Sequence, residues 1–185
     1  MILPIVAYGS SILRKPCLDV DSSYKNLNVL IENMFETMYA ASGVGLAAPQ
    51  INRSIRLFVV DTTPFKDDEN PEHVVCKKVF INPKILSTSG DSWSFNEGCL
   101  SIPEVREDVK RLSNVVIEYF DDNFNKVTEE FSGLNARVIL HEFDHIEGIL
   151  FVDKISPLRK RMIKGKLSDI MNGEFNAQYN IRVVK

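Results

Sequence analysis

Two histidines with a glutamate directly after the first, in "ILHEFDHIEG", constrain this chain more than any other feature. His141 and His145 are four residues apart, so on an α-helix both rings leave one face a turn apart and can reach a single cation. The pattern predicts a helix over residues 132–147, started near Ser132 and stopped by Gly148. Glu142 stands beside that face, where it can handle the proton of a water at the metal without being a ligand. Two imidazoles favour a first-row transition metal over an oxygen-seeking ion such as Mg²⁺. Two donors do not complete a site, however, and a third must come from elsewhere.

No histidine follows His145, His73 reads as a solvated residue of an acidic loop, and Glu174 is the one glutamate left downstream of the following helix. The remaining donors are Cys17, Cys76 and Cys99. Cys99 stands out by its setting, "NEGCLSIP", in which Gly98 permits unusual backbone angles and Pro103 ends regular structure. A thiolate at such a strand–loop junction would give a Cys-His-His set with one position open for chemistry. Cys17 and Cys76 read as buried thiols. Three cysteines form no paired framework, which points to a reducing, cytoplasmic location.

The architecture expected around this helix is α+β, a single domain spanning 1–185 with antiparallel strands around the central metal-binding helix and a C-terminal helix. A first amphipathic helix is predicted over 22–41, capped by Asp21 or Ser22, with Thr37 on its polar face. "IRLFVVD" and "KVFINPKIL" read as strands separated by a polar loop over 62–73. Short β-prone runs follow over 105–131, with "DDNFN" as a hairpin turn. A last helix over 157–172 starts at Pro157, and the tail "FNAQYNIRVVK" is a short strand or loose. No apolar run approaches the roughly 20 residues that span a bilayer, so no membrane partner is expected. The N-terminus lacks a basic, signal-like segment and reads as mature protein. A net charge of −3 argues against broad nucleic-acid binding as the main task.

One further run, "SGVGLAAPQ", places Gly43, Gly45, Ala47 and Ala48 directly after the first helix, small enough for another backbone to approach closely. It lacks the spacing of a dinucleotide or phosphate loop, and by itself it suits close helix packing. Gln50 ends it with an amide able to donate to an oxyanion.

In order along the chain, "GVGLAAPQ", "EGCLS" and "HEFDHIEG", with "PIVAYGSSILRKP" before them, closely resemble peptide deformylase. The resemblance implies removal of the formyl group from N-formylmethionyl nascent peptides. It implies Cys99, His141 and His145 as metal ligands, Glu142 as general acid/base, and the Gln50 amide and Leu100 N–H as oxyanion donors. It also implies a substrate extended along the glycine run, with Gly43, Val44, Gly45, Glu97, Arg106, Leu134 and Val138 as candidate substrate-binding residues. Val44, Leu134 and Val138 would form the methionine pocket. Arg106 would steady the active-site loop or meet substrate, and Asp144 is either an ion-pairing residue near the metal or a surface carboxylate. Ligand type alone suggests Zn²⁺; the resemblance implies physiological Fe²⁺, with Zn²⁺, Ni²⁺ or Co²⁺ able to substitute. The last helix carries Arg159, Lys160, Arg161, Lys164 and Lys166, a basic face that the resemblance connects with transient ribosome docking.

Overall fold

The computed structural model describes residues 1–68 and 70–184. Glu69 in the acidic loop and Lys185 at the end of the tail, both within the segments considered above, lie outside the described residues. Five antiparallel strands form the main sheet: β2 (Gly45–Ala47), β3 (Leu57–Asp61), β4 (Lys77–Cys99), β5 (Ile102–Phe120) and β6 (Lys126–Ser132), side by side in that order. Two short strands, β1 (Ile5–Val6) and β7 (Ile181–Arg182), pair in parallel. The helices are α1 (Leu27–Ala40), α2 (Gly133–Ile146), α3 (Pro157–Met162) and α4 (Lys164–Asn172). The expected α+β class, central helix and C-terminal helical segment are all present. Among the described residues, no helix is long and apolar enough to cross a membrane.

The sheet is covered on both faces, which explains why β3 reads as a near-continuous apolar run instead of an alternating one. Phe58 and Val60 join Phe80, Tyr119 and Phe131 against Ala136, Ile139 and Leu140 of α2. Leu57 and Val59, with Ile81, face Ile31, Met34 and Met38 of α1. Phe80 is the hub of the first layer, its ring centroid 4.6 Å from that of Phe58 and 4.4 Å from that of Tyr119. Burying each such side chain contributes about 1.5–3 kcal/mol. Helix α2 is thereby pressed onto the sheet, and its histidine face is held at the level where β4 ends.

Several boundaries differ from those expected. Helix α1 begins five residues late because Asp21 accepts from the Ser23 N–H at 2.8 Å, forming a local turn instead of a helix cap, and Asn26 adopts a left-handed φ of 59°. Thr37 is buried, its hydroxyl bonded to the Asn33 carbonyl at 2.6 Å and accepting from the Leu3 N–H at 2.9 Å. Pro103 does not end regular structure. Gly98 pairs with Arg106 while Cys99 pairs with Ile102, so residues 103–105 bulge out of the hairpin and β5 continues past them. The last helix breaks at Ile163 into α3 and α4. The tail is anchored as β7.

Candidate active site

Helix α2 carries His141 and His145 into contact with the end of β4, where the turn at Leu100 and Ser101 presents Cys99. Donor atoms of Cys99, His141 and His145 all lie within 4.8 Å of one another, and Cys99 Sγ is 3.2 Å from His145 Nε2. Tetrahedral coordination with metal–sulfur and metal–nitrogen bonds of about 2.3 and 2.0 Å sets neighbouring donors about 3.5 Å apart. One thiolate and two imidazoles at this spacing fit a borderline-soft divalent metal. Burial opposes charge on His141, but hydrogen bonds to Cys99 and Glu97 outweigh it and raise the imidazole to about 10. The two rings differ, because burial and the neighbouring His141 and Arg111 charges hold His145 well below the usual imidazole value.

Behind the donors lies a buried charge network that sequence reading missed. Arg111, from β5, grips both oxygens of Glu97 at 2.7 and 2.9 Å and also bonds Asp144 at 2.6 Å. Glu97 Oε2 accepts from His141 Nδ1 at 3.0 Å, which leaves Nε2 of that ring for a metal. Arg137 donates to Glu97 at 2.9 Å and to the carbonyls of Val109 and Trp93. Burial would raise the Glu97 pKa, yet its bonds to Arg111 and His141 hold the carboxyl well below the usual range. Asp144, the residue left open between two roles, is an ion-pairing one, bridged to Arg111 and to Lys154 at 3.2 Å.

Glu142 points from the same helix towards β2. It is buried, burial pushes its carboxyl up to about 7, and its Oε2 has no partner among the described residues. The space it occupies exists because residue 45 is glycine: a Cβ there would lie 2.7 Å from Glu142 Cδ and 2.8 Å from Cγ. Gln50 is also buried, and its amide orientation is fixed. Its Oε1 accepts from the Ala47 N–H at 2.8 Å, so its Nε2 faces Cys99 Sγ at 3.5 Å and Ser101 Oγ at 3.3 Å.

These groups open onto a cavity of about 540 Å³, large enough to enclose a few residues of peptide. Gly43, Val44, Gly45, Leu100, Arg106 and Val138 border it as expected. Leu134 does not: it sits in the first turn of α2, half-buried and short of the cavity wall. Glu97 borders the cavity, but both its oxygens are taken by Arg111, Arg137 and His141, so it serves the histidine and not a ligand. Arg106 bonds Asn96 at 2.9 and 2.6 Å, bracing the strand before Cys99 while remaining exposed. Among the unforeseen wall residues are Phe65, Phe95 and Tyr179. Tyr179 reaches in from the tail, and its hydroxyl is raised to about 12 by burial and the neighbouring Cys99.

Fold and site together define a metal-dependent hydrolase with an H-E-x-x-H helix and a cysteine as third donor. A family model described as "Polypeptide deformylase" matches residues 2–161. The peptide deformylase of Christiangramia forsetii is 55% identical over 98% of this chain and 96% of its own length. That of Flavobacterium psychrophilum is 56% identical over 100% and 98%. Among solved structures, a peptide deformylase from Legionella pneumophila superposes with a TM-score of 0.81 at 37% identity, covering 94% of this chain and 98% of that one. The chain belongs to the polypeptide deformylase family. It is a hydrolase that removes the formyl group from N-formylmethionine at the start of nascent polypeptides.

The contact between Gly45 and Glu142 yields a direct test. Gly45→Ala should displace the Glu142 carboxylate and lower kcat at least as far as losing a general acid/base, about 10²- to 10⁴-fold. Metal content should remain near one per chain, as measured by elemental analysis beside a formate-release assay.

Proposed function

We propose that Cys99 Sγ and the Nε2 atoms of His141 and His145 hold a divalent transition metal, and that Glu142, Gln50 and the Leu100 N–H perform the deformylation beside it. The observation that carries this reading is the unpartnered, buried Glu142 Oε2 standing next to the three-donor cluster. A bound metal would supply Lewis acidity, lowering the pKa of a water to near neutrality. Glu142 takes that water's proton while its oxygen bonds to the formyl carbon. Negative charge then collects on the formyl oxygen, where Gln50 Nε2 and the Leu100 N–H donate to it. As the carbon–nitrogen bond breaks, Glu142 passes the proton to the amine, leaving formate and a free N-terminus. Glu97 positions His141, so we assign it to orientation of the donor set.

The substrate lies along Gly43, Val44 and Gly45, with the methionine side chain against Val44, Val138 and neighbouring apolar wall. We assign residues 1–185 to one catalytic domain working in the cytoplasm, a compartment that suits its three free cysteines. The mixed sulfur–nitrogen donors suit several metals, and the family resemblance favours Fe²⁺, with Zn²⁺, Ni²⁺ or Co²⁺ as substitutes. An unformylated peptide offers these groups no formamide, which separates this activity from that of a metallopeptidase.

Glu142→Ala should keep its metal yet lose about 10²- to 10⁴-fold in formate release from a formyl-Met peptide. Unformylated Met peptides should remain uncut by the unmodified enzyme, and cleavage of them would favour a peptidase. Ion identity is tested by air: iron-loaded enzyme should lose activity on exposure while the nickel-loaded form persists, because iron and its thiolate both oxidise. Equal decay would remove iron sensitivity as the cause.

Ribosome docking is proposed through the C-terminal helices. Arg159 is committed to buried Glu107 at 2.7 and 2.9 Å, and Lys160 to Asp153 at 3.1 Å. Arg161, Lys164 and Lys166 are the exposed cations suited to a charge-reversal test. Reversing these three to Glu should weaken co-sedimentation with ribosomes and flatten its salt dependence by about 0.7–0.9 in log–log slope per lost phosphate contact. Hydrolysis of a short formyl-Met peptide should be unaffected.

A further inference from the structure

The family match ends at residue 161, yet the tail beyond it returns to the active site. After α4 ends at Asn172, the chain passes the outside of the Cys99–Ile102 turn and the bulge that follows it, touching each once. Its Asn176 N–H donates to Glu104 Oε2 at 3.3 Å, and the Tyr179 hydroxyl donates to the Leu100 carbonyl at 2.8 Å. Immediately afterwards the tail locks onto β1: Asn180 O accepts from the Ile5 N–H and Arg182 O from the Ala7 N–H, both at 2.8 Å. The same N-terminal segment donates its Tyr8 N–H to Ser101 O at 2.8 Å. The two residues of the turn therefore have their carbonyls held from outside the hairpin, Leu100 by the tail and Ser101 by the segment that anchors the tail.

This clamp sits at one of the irregular points of the strand ladder. Residues 103–105 bulge, Glu104 has a left-handed φ of 61°, and the register shifts between Gly98 and Cys99. Ladder hydrogen bonds alone cannot fix the peptide planes on either side of Leu100 there. A half-buried tyrosine suits the task, since its ring packs, as Leu100 does, against the core cluster under α1 while its hydroxyl fixes one carbonyl.

We propose that Tyr179 is a positioning residue for deformylation: it holds the Leu100–Ser101 peptide plane and, through the Leu100 Cα, the adjoining Cys99–Leu100 plane whose N–H meets the developing oxyanion. The inference rests on the reading of Leu100 N–H as an oxyanion donor. It makes a tail residue outside the family match part of the working site.

Tyr179→Phe keeps the ring and removes only the hydroxyl. Metal-loaded variant and parent would be compared for kcat and KM on a formyl-Met peptide, metal content, melting temperature, and hydrogen exchange across residues 99–105. The expected result is faster exchange at Leu100 and Ser101 and a kcat lower by about three- to tenfold, the effect of one misplaced hydrogen bond. KM and metal content should hold. Unchanged exchange would overturn the clamp, and unchanged kcat would overturn its catalytic role. A fall in kcat that merely tracks lost metal or a lower melting temperature would reduce Tyr179 to a structural residue and overturn the proposal as well. Gln50→Ala separates the two levels, since it should cost about 10²- to 10³-fold if an oxyanion site exists here. A full loss there with none in Tyr179→Phe would fail only the tail inference. An active Gln50→Ala would fail the oxyanion reading beneath it.

Discussion

The geometry of the site depends on one buried guanidinium. Arg111 holds Glu97 on one side and Asp144 on the other, joining β4, β5 and α2 at the level of the histidines. Isolated charges in such a place would be costly, and breaking a buried pair generally costs about 3–5 kcal/mol. Here the opposing groups are saturated: Glu97 also receives Arg137 and His141, and Asp144 also receives Lys154. The fixed carboxylate then sets which nitrogen of His141 carries its proton and which is free to bind metal. A hydrophobic replacement could stabilise the fold as well, but it could not set that tautomer.

The long β4–β5 hairpin solves a related problem of delivery. A regular hairpin would place alternating side chains on opposite faces and run straight past the helix. The bulge at 103–105 bends the end of the ladder, so Cys99 comes within reach of His145 while the Leu100 peptide borders the cavity. Gly98 permits the crossing, because a Cβ there would lie 2.7 Å from an Arg106 nitrogen. The same irregularity leaves the turn short of ladder bonds, and the tail and N-terminal segment supply the missing ones. Distortion and clamp are two parts of one arrangement.

Much of this was legible in the sequence where the signal is local. The spacing of His141 and His145 specifies both a helix and a shared face, whereas Gly98 keeps ordinary strand angles, paired with Arg106, and its lack of a side chain instead admits the Arg106 side chain. Periodicity also located α1 and α2, although it put the start of α1 too early because Asp21 is spent on a turn. Arg111, Arg137 and Tyr179 could not be found this way. Each matters through a partner distant in sequence, as Tyr179 does with Leu100, and no local period encodes such a pairing. Pro103 misled for a kindred reason: it marks a bulge inside a strand, which reads locally like a strand end. Leu134 was expected in the methionine pocket with Val138, one helical turn further on, but its turn of α2 lies short of the cavity wall that Val138 borders.

Glu142 shows why the motifs must act as a set. One residue on from His141, it is rotated about 100° around the helix and cannot join both histidines at the metal. That rotation aims it at β2, where any side chain at position 45 would occupy its place. The glycine run therefore makes room for the Glu142 carboxylate, the proton carrier proposed above, and borders the cavity as well. Two residues after Gly45, the Ala47 N–H fixes the Gln50 amide, so the same short segment that admits Glu142 also aims the Gln50 Nε2 at Cys99 and Ser101, as the proposed oxyanion donor requires. An H-E-x-x-H helix facing a strand with a side chain at position 45 could still bind a metal through Cys99. It would lack room for the Glu142 carboxylate, the base proposed above, and so the glycine and the glutamate form one steric unit.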